Sequence, residues 1–177
     1  MGMLSYMFIS LMRGIARVLI TNGLRDDPWT FYIVSALLTG VFEEVGRYLV
    51  LNYAVMGNNS LTDCISYGIG HGVIEIILTN RTYENISIAE SLLDGYECVR
   101  LILFSAAMSA LIYVVIHYSD TKKFLAAAVI FHAVIDIIPA FYLQDQMTIG
   151  ELMIIDQIYI LAVCYFAYWV CRCYREE

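Results

Sequence analysis

The sequence predicts an all-α protein: a polytopic transmembrane helix bundle of about six spans, forming one membrane domain over residues 1–177. Three observations carry this. Of the 177 residues, 60% are hydrophobic and only 15% are charged, whereas soluble domains run near about 45–50% and about 25%. Mean hydropathy is +0.70. The apolar residues gather into stretches of roughly the 20 residues a bilayer-crossing helix requires. The same figures exclude a disordered chain, a collagen-like repeat and a disulfide-stapled module. Nucleic acid is excluded as a partner, because the net charge is −7 and the ten Lys and Arg are scattered, whereas phosphate binding needs clustered cations.

The spans follow in chain order. Residues 3–22 carry Arg13 and Arg17 at i,i+4 inside the apolar run, so this stretch reads either as a span or as a helix lying in the interface. The same placement speaks against a cleaved signal peptide. The second stretch, 29–55, follows Pro28, whose missing N–H costs nothing in the first turn of a helix. The remaining stretches are 62–80, 98–118, 123–143 and 149–171. Asp26-Asp27-Pro28, Gly57-Asn58-Asn59-Ser60 and Asp120-Thr121-Lys122-Lys123 read as connections. Residues 81–97 form the long polar connection, with acidic residues that suit an interfacial helix. The positive-inside rule puts Lys122, Lys123, Arg172 and Arg175 in the cytoplasm and Arg25 and Arg81 on the opposite side. No internal repeat is visible.

Five cysteines (Cys64, Cys98, Cys164, Cys171 and Cys173) form no C-x-x-C pair. Their odd number argues against a closed disulfide framework, and they read as small buried apolar residues. The sequon Asn85-Ile86-Ser87 has meaning only in a eukaryotic secretory pathway.

Chemistry is signalled by charge in the wrong place. An ionised side chain at mid-bilayer costs about 2.5–3.5 kcal/mol on insertion scales. Yet the second span holds Glu43, Glu44 and Arg47, the third His71 and Glu75, and the fifth His132 and Asp136. The pairs Glu43/Arg47, His71/Glu75 and His132/Asp136 are each i,i+4, which puts both members on one helix face. Three such stripes at similar depth predict a shared polar cavity. Helix adhesion is too weak a reason for them, since interhelical polar contacts average about 0.6 kcal/mol.

This inventory suits hydrolysis by an activated water. A glutamate within reach of His71 serves as general base, and His132 from another helix donates to a developing oxyanion. Arg47, one turn from Glu43, is expected to hold that carboxylate, which makes Glu43 the favoured base. No nucleophile elbow and no Cys beside a histidine supports an acyl-enzyme. A metal is the competing use: His71, His132, Glu75 and Asp136 offer two imidazoles and two carboxylates to zinc, although H-E-x-x-H is absent. The metal-free site, with no cofactor, is the favoured reading. A catalytically silent membrane scaffold or immunity-type protein is the alternative from another class. An ion or proton carrier is a third.

Glu43-Glu44-x-x-Arg47, Tyr67-Gly-x-Gly-His71-Gly-x-x-Glu75 and His132-x-x-x-Asp136, in this order on successive hydrophobic segments, resemble the YhfC-like membrane peptidases. Those are similar to the wider CAAX-protease and bacteriocin-processing superfamily and to the PrsW proteases. The resemblance covers about residues 30–140. It implies a glutamate-dependent intramembrane endopeptidase of a bacterial cell membrane, acting on a peptide or membrane-protein substrate. Glu43 and His71 would activate water, and His132 and Asp136 would stabilise the oxyanion. Arg47 follows the glutamates one residue sooner than in the CAAX proteases. One residue is a 100° step on a helix, so the resemblance leaves open which of Glu43 and Glu44 is catalytic.

Overall fold

The computed structural model describes residues 1–24, 26–54, 60–79 and 88–175, with backbone alone for 79, 88–94 and 175. Helix α1 (Gly2–Thr21) ends in a 3-10 turn, and α2 (Pro28–Leu49) runs on into a π-helical turn, Val50–Ala54. Then come α3 (Leu61–Thr79), α4 (Ile88–His117), α5 (Lys123–Leu143) and α6 (Ile149–Arg175). Among the described residues there is no strand. The protein is a multi-pass helical membrane bundle. The Gly57-Asn58-Asn59 turn, the sequon, Arg25, Arg81 and the start of the 81–97 connection lie outside the described residues.

Among the described residues, five helices are long and apolar enough to cross a bilayer: Gly2–Leu24, Leu61–Leu78, Gly95–His117, Lys123–Leu143 and Ile149–Tyr174. The exception is α2, the helix that carries Glu43, Glu44 and Arg47. Its start is well specified. Asp27 caps it, accepting from the Thr30 backbone N–H at 3.3 Å and the Thr30 hydroxyl at 2.5 Å, with Pro28 in the first turn. Those hydrogen bonds from Thr30 hold the exposed Asp27 carboxyl below its usual range.

The buried positions explain the packing. On α1 the inward face is Gly2, Tyr6 and Ile9, a run of i, i+4, i+7 that extends to Arg13. On α2 it is Ala36, Gly40, Glu43 and Arg47, the same period. Bundles in lipid gain stability where small residues let backbones approach, and two glycines show this. A Cβ on Gly40 would lie 2.5 Å from the Val129 carbonyl of α5. One on Gly68 of α3 would lie 2.6 Å from both the Ser105 carbonyl and the Ser109 hydroxyl of α4. Helix α4 is the core element, with Met108, Leu111, Ile112 and Val114 all fully buried. It begins at Ile88 rather than near 98 because a helix does not end where its apolar run ends. All five cysteines are free. Cys64 and Cys171 are buried, and Cys173 is exposed.

Candidate active site

The inward stripes of α1, α2, α3 and α5 converge on the glutamate pair of α2. Glu43 and Glu44 are both fully buried. Being neighbours on a helix they point about 100° apart, and they serve different helices. Glu43 faces α1 and α3: it accepts from Arg13 and, through Oε2, from His71 Nε2 at 3.3 Å. Glu44 faces α5 and α4: Oε1 accepts from His132 Nδ1 at 2.7 Å, and Oε2 lies 3.3 Å from Arg47 Nε. His132 also spans the gap between them, its Nε2 3.5 Å from Glu43 Oε2. One carboxylate oxygen, Oε2 of Glu43, is therefore flanked by two imidazole nitrogens from two other helices.

The expected pairing of Glu43 with Arg47 is corrected. Arg47 pairs with Glu44 at i,i+3, and its Nη1 donates to the Ser105 carbonyl at 2.5 Å, the Ser105 hydroxyl at 3.1 Å and the Ser109 hydroxyl at 2.8 Å. Helix spacing fixes which face a side chain leaves from. It does not fix where three methylenes and a guanidinium then go, and the polar atoms of α4 take Arg47. The arginine of Glu43 is Arg13, read from the sequence only as a sign of an interfacial helix. Its signal was available, since a charge within an apolar run is the same anomaly as Glu43. With that contact, α1 packs on α2 and α3 rather than standing apart in the interface.

His71 is fully buried, with Tyr6 of α1 edge-on to its ring at 4.7 Å. Glu75, one turn along α3, is half-buried, and ligand-capable atoms of Glu43, His71 and Glu75 all lie within 4.8 Å of one another. His132 packs edge-on against Phe104 at 5.4 Å. Asp136 does not reach the glutamates in a direct contact; it is exposed, in the wall of an adjoining cavity that His132 and Glu75 also line. Ser105, Ser109 and the Arg100–Asp156 ion pair between α4 and α6 were not singled out from the sequence, because single polar residues on separate helices carry no spacing pattern.

The donor set fits a zinc-type ion: imidazole and carboxylate are ligands it takes, and Glu43, His71 and Glu75 are close enough to share one. Two features weigh on the other side. Metal-bound histidines ordinarily anchor their second nitrogen, whereas His71 Nδ1 is buried without a protein hydrogen bond. The two glutamates are also already matched by Arg13 and Arg47.

Comparison with known proteins agrees with the motif resemblance. A family model described as YhfC intramembrane metalloprotease matches residues 3–82. A curated relative, the uncharacterized membrane protein YhfC of Bacillus subtilis (strain 168), is 30% identical over 79 residues, or 41% of this chain. The match spans 31% of that protein's length. No solved structure matches. The chain is thus YhfC-like over a stretch that begins earlier than the motifs suggested, taking in α1 and Arg13, and that ends before α5.

Proposed function

We propose that this chain hydrolyses peptide bonds inside the membrane, with Glu43 as general base. The observation that carries the reading is Oε2 of a fully buried glutamate facing His71 Nε2 at 3.3 Å and His132 Nε2 at 3.5 Å. Packing alone has no use for such a cluster. Arg13 holds the other oxygen of Glu43, leaving Oε2 to take the proton from a water oriented by His71. His132 is clamped on Glu44 through Nδ1, and its Nε2, at long range from Glu43, is the donor free to turn toward an oxyanion. Asp136, at the wall of the adjoining cavity, is the more remote helper. The likeness to a family described as intramembrane metalloproteases supports the peptide bond as substrate.

A second reading is favoured by the Glu43–His71–Glu75 cluster and by the same family description. Those three residues would hold a divalent ion, which when bound would polarise the scissile carbonyl. His132 would remain the donor held by Glu44.

One experiment separates the two. The purified chain in proteoliposomes is assayed against a library of membrane-spanning peptides, beside Glu43→Gln and His71→Ala, with metal content measured on the same samples. We expect cleavage that survives strong chelators and falls about 100-fold or more in Glu43→Gln, as for loss of a positioned base. One equivalent of zinc, lost together in His71→Ala and Glu75→Gln, would hand the site to the metal. An absence of cleavage across the library would favour a silent scaffold.

A further inference from the structure

Beside the glutamate pair, a cavity of about 160 Å³ opens between α4, α5 and α6. Arg100 and Asp156 stand in its wall, with Ile135 and Pro139 of α5, and it reaches His132 and Glu75. Its polarity is not what packing asks for. Arg100 of α4 and Asp156 of α6 form an ion pair, and Asp156 is only 3% exposed. Apolar side chains of similar volume would hold two helices together as well or better. The pair is also incompletely satisfied: Arg100 Nε and Asp156 Oδ1 are buried with no hydrogen bond to a protein atom. Pro139 lies within α5, so it has no N–H for the carbonyl of Ile135, its i−4 neighbour. Two residues with an unsatisfied side-chain atom, and the residue whose carbonyl loses its i+4 donor to Pro139, thus line one cavity. In a membrane interior, polar groups of this kind are satisfied by other protein groups or by ordered water. A volume of about 160 Å³ holds several waters at about 30 Å³ each.

We infer that this cavity is a built water-binding site, framed by the Arg100–Asp156 pair and the Pro139 break, and that it delivers the water consumed at Glu43. The delivery rests on the hydrolytic reading above; the hydration does not. From His132 to Pro139 is seven residues, or about 10 Å at 1.5 Å per residue. The cavity therefore leads from the glutamate site toward the end of the bundle where α4 begins, α5 ends and α6 begins. Hydrolysis consumes one water for each bond cut, and hydrocarbon holds none to give. A compartment joining the site to that end supplies it.

Hydroxyl-radical footprinting of the whole chain in proteoliposomes, in ¹⁸O water, tests the hydration. Side chains touching bound water are oxidised and those in dry core are not. Phe104 (3% exposed, lining the cavity) is compared with Phe124 (9% exposed, outside its lining), and Ile135 (lining, 8% exposed) with Ile112 (outside it, 0% exposed), all four belonging to one apolar cluster. We expect Phe104 and Ile135 to be oxidised at least about five-fold faster than their controls, as contact with buried water requires. The double variant Arg100→Met/Asp156→Leu should bring both down to the control rate. Pro139→Ala restores the N–H to the Ile135 carbonyl and should slow Ile135 alone, so it serves as a second probe if the double variant does not fold. Wild-type Phe104 and Ile135 reacting no faster than their controls would overturn the water site, whatever the chain cleaves. Delivery is read separately, on a cleaved peptide: the double variant should lower kcat about ten-fold with KM unchanged, the signature of a step after binding. An unchanged kcat in a dried cavity would overturn delivery and leave Glu43 as base. A Glu43→Gln variant that still cleaves, with Phe104 and Ile135 oxidised as before, would overturn the base and leave the water site.

Discussion

Helices α1 and α4 flank the same pair of glutamates, and each helps to balance the charge of one of them by a different route. Half of the α4 span is buried, 50%, against 11% of α1. Helix α4 contributes no charge at this point. It offers the Ser105 carbonyl and the Ser105 and Ser109 hydroxyls, and Arg47 is locked between them and Glu44. Helix α1 contributes a charge, Arg13, on a thin inward stripe, while Leu4, Phe8, Leu11, Ile15, Val18 and Leu19 face outward. The difference divides the site. The Glu44 half is built into the core as structure. The Glu43 half, with Arg13 and His71, is held by the least buried of the candidate spans and carries the base of the proposed reaction. Adjacent residues of one helix thus play separate parts because a 100° step aims them at different neighbours.

The largest expected effect tests that division directly. Glu43→Gln keeps shape and volume but cannot accept a proton, so turnover should fall about 10²–10⁴-fold with little change in melting temperature. Glu44→Gln should do the reverse. It leaves Arg47 charged in the bundle with neutral oxygens alone, at a cost on the order of 3 kcal/mol for a broken buried pair. Thermal melts in detergent beside turnover assays read both numbers. If the two variants behave alike, the halves are not distinct.

Packing behind the Glu44 half should come next. A methyl group on Gly68 would lie 2.6 Å from the Ser105 carbonyl, the same atom that receives Arg47. Backbone cannot rotate away as a side chain can. Gly68→Ala should therefore push α3 from α4 and cost about 1–3 kcal/mol, as overpacking does. Gly14→Ala is the comparison on α1, where a Cβ meets nothing within 4 Å. It should leave stability unchanged or slightly raised, by up to about 1 kcal/mol, since Ala is the better helix former. Chemical denaturation of the two variants sharpens the contrast between the helices, and equal losses would erase it.

A smaller effect is expected at Arg13 itself. Arg13→Gln removes the charge but keeps a donor near Glu43. The side chain is 21% exposed, so the loss is partly screened. Activity should fall about ten-fold with the fold intact, the size of one charge-assisted hydrogen bond of about 1.5 kcal/mol. Arg13→Lys should recover part of that loss. A stability loss as deep as that of Glu44→Gln would place α1 in the core with α4.

The parts of this molecule legible in the sequence are those that a single helix determines. Run length gave the bundle, and charge inside apolar runs pointed to Glu43, His71 and His132, because their insertion cost is a property of one segment. What needed the structure is decided between segments. Arg47 chose Glu44 over Glu43 once α4 offered three oxygens. Arg13 acquired its meaning from α2, and Arg100 from α6. The count of spans shows the same limit from the other direction. Helix α2 is the one that the site makes too polar to pass as a span by composition, and its neighbours shield it. Where Gly40 and Gly68 let backbones close up is likewise invisible until the partner backbone is in place.

The smallest effect is expected at His117, the histidine that stands apart from the site. It lies in the last turn of α4, eight residues beyond Ser109, or about 12 Å along the axis. The ring is exposed, donates from Nδ1 to the Tyr113 carbonyl at 2.9 Å, and stacks on the Tyr113 ring at 4.3 Å. Those contacts serve the helix end, where carbonyls lack partners. Thr121 does the same work from the following turn, donating to the Val114 and Tyr118 carbonyls, and Asp120 makes the turn with a φ of 60°. With Thr121 capping the neighbouring carbonyls of this helix end and the His117 ring exposed, His117→Asn should leave activity within about two-fold and cost no more than about 0.5 kcal/mol, as surface changes do. Loss of activity comparable to that of His71→Ala, in the same assay, would mean that this end of α4 reaches the chemistry. The division between a structural α4 and an α1 that serves the proposed base would then have to be redrawn.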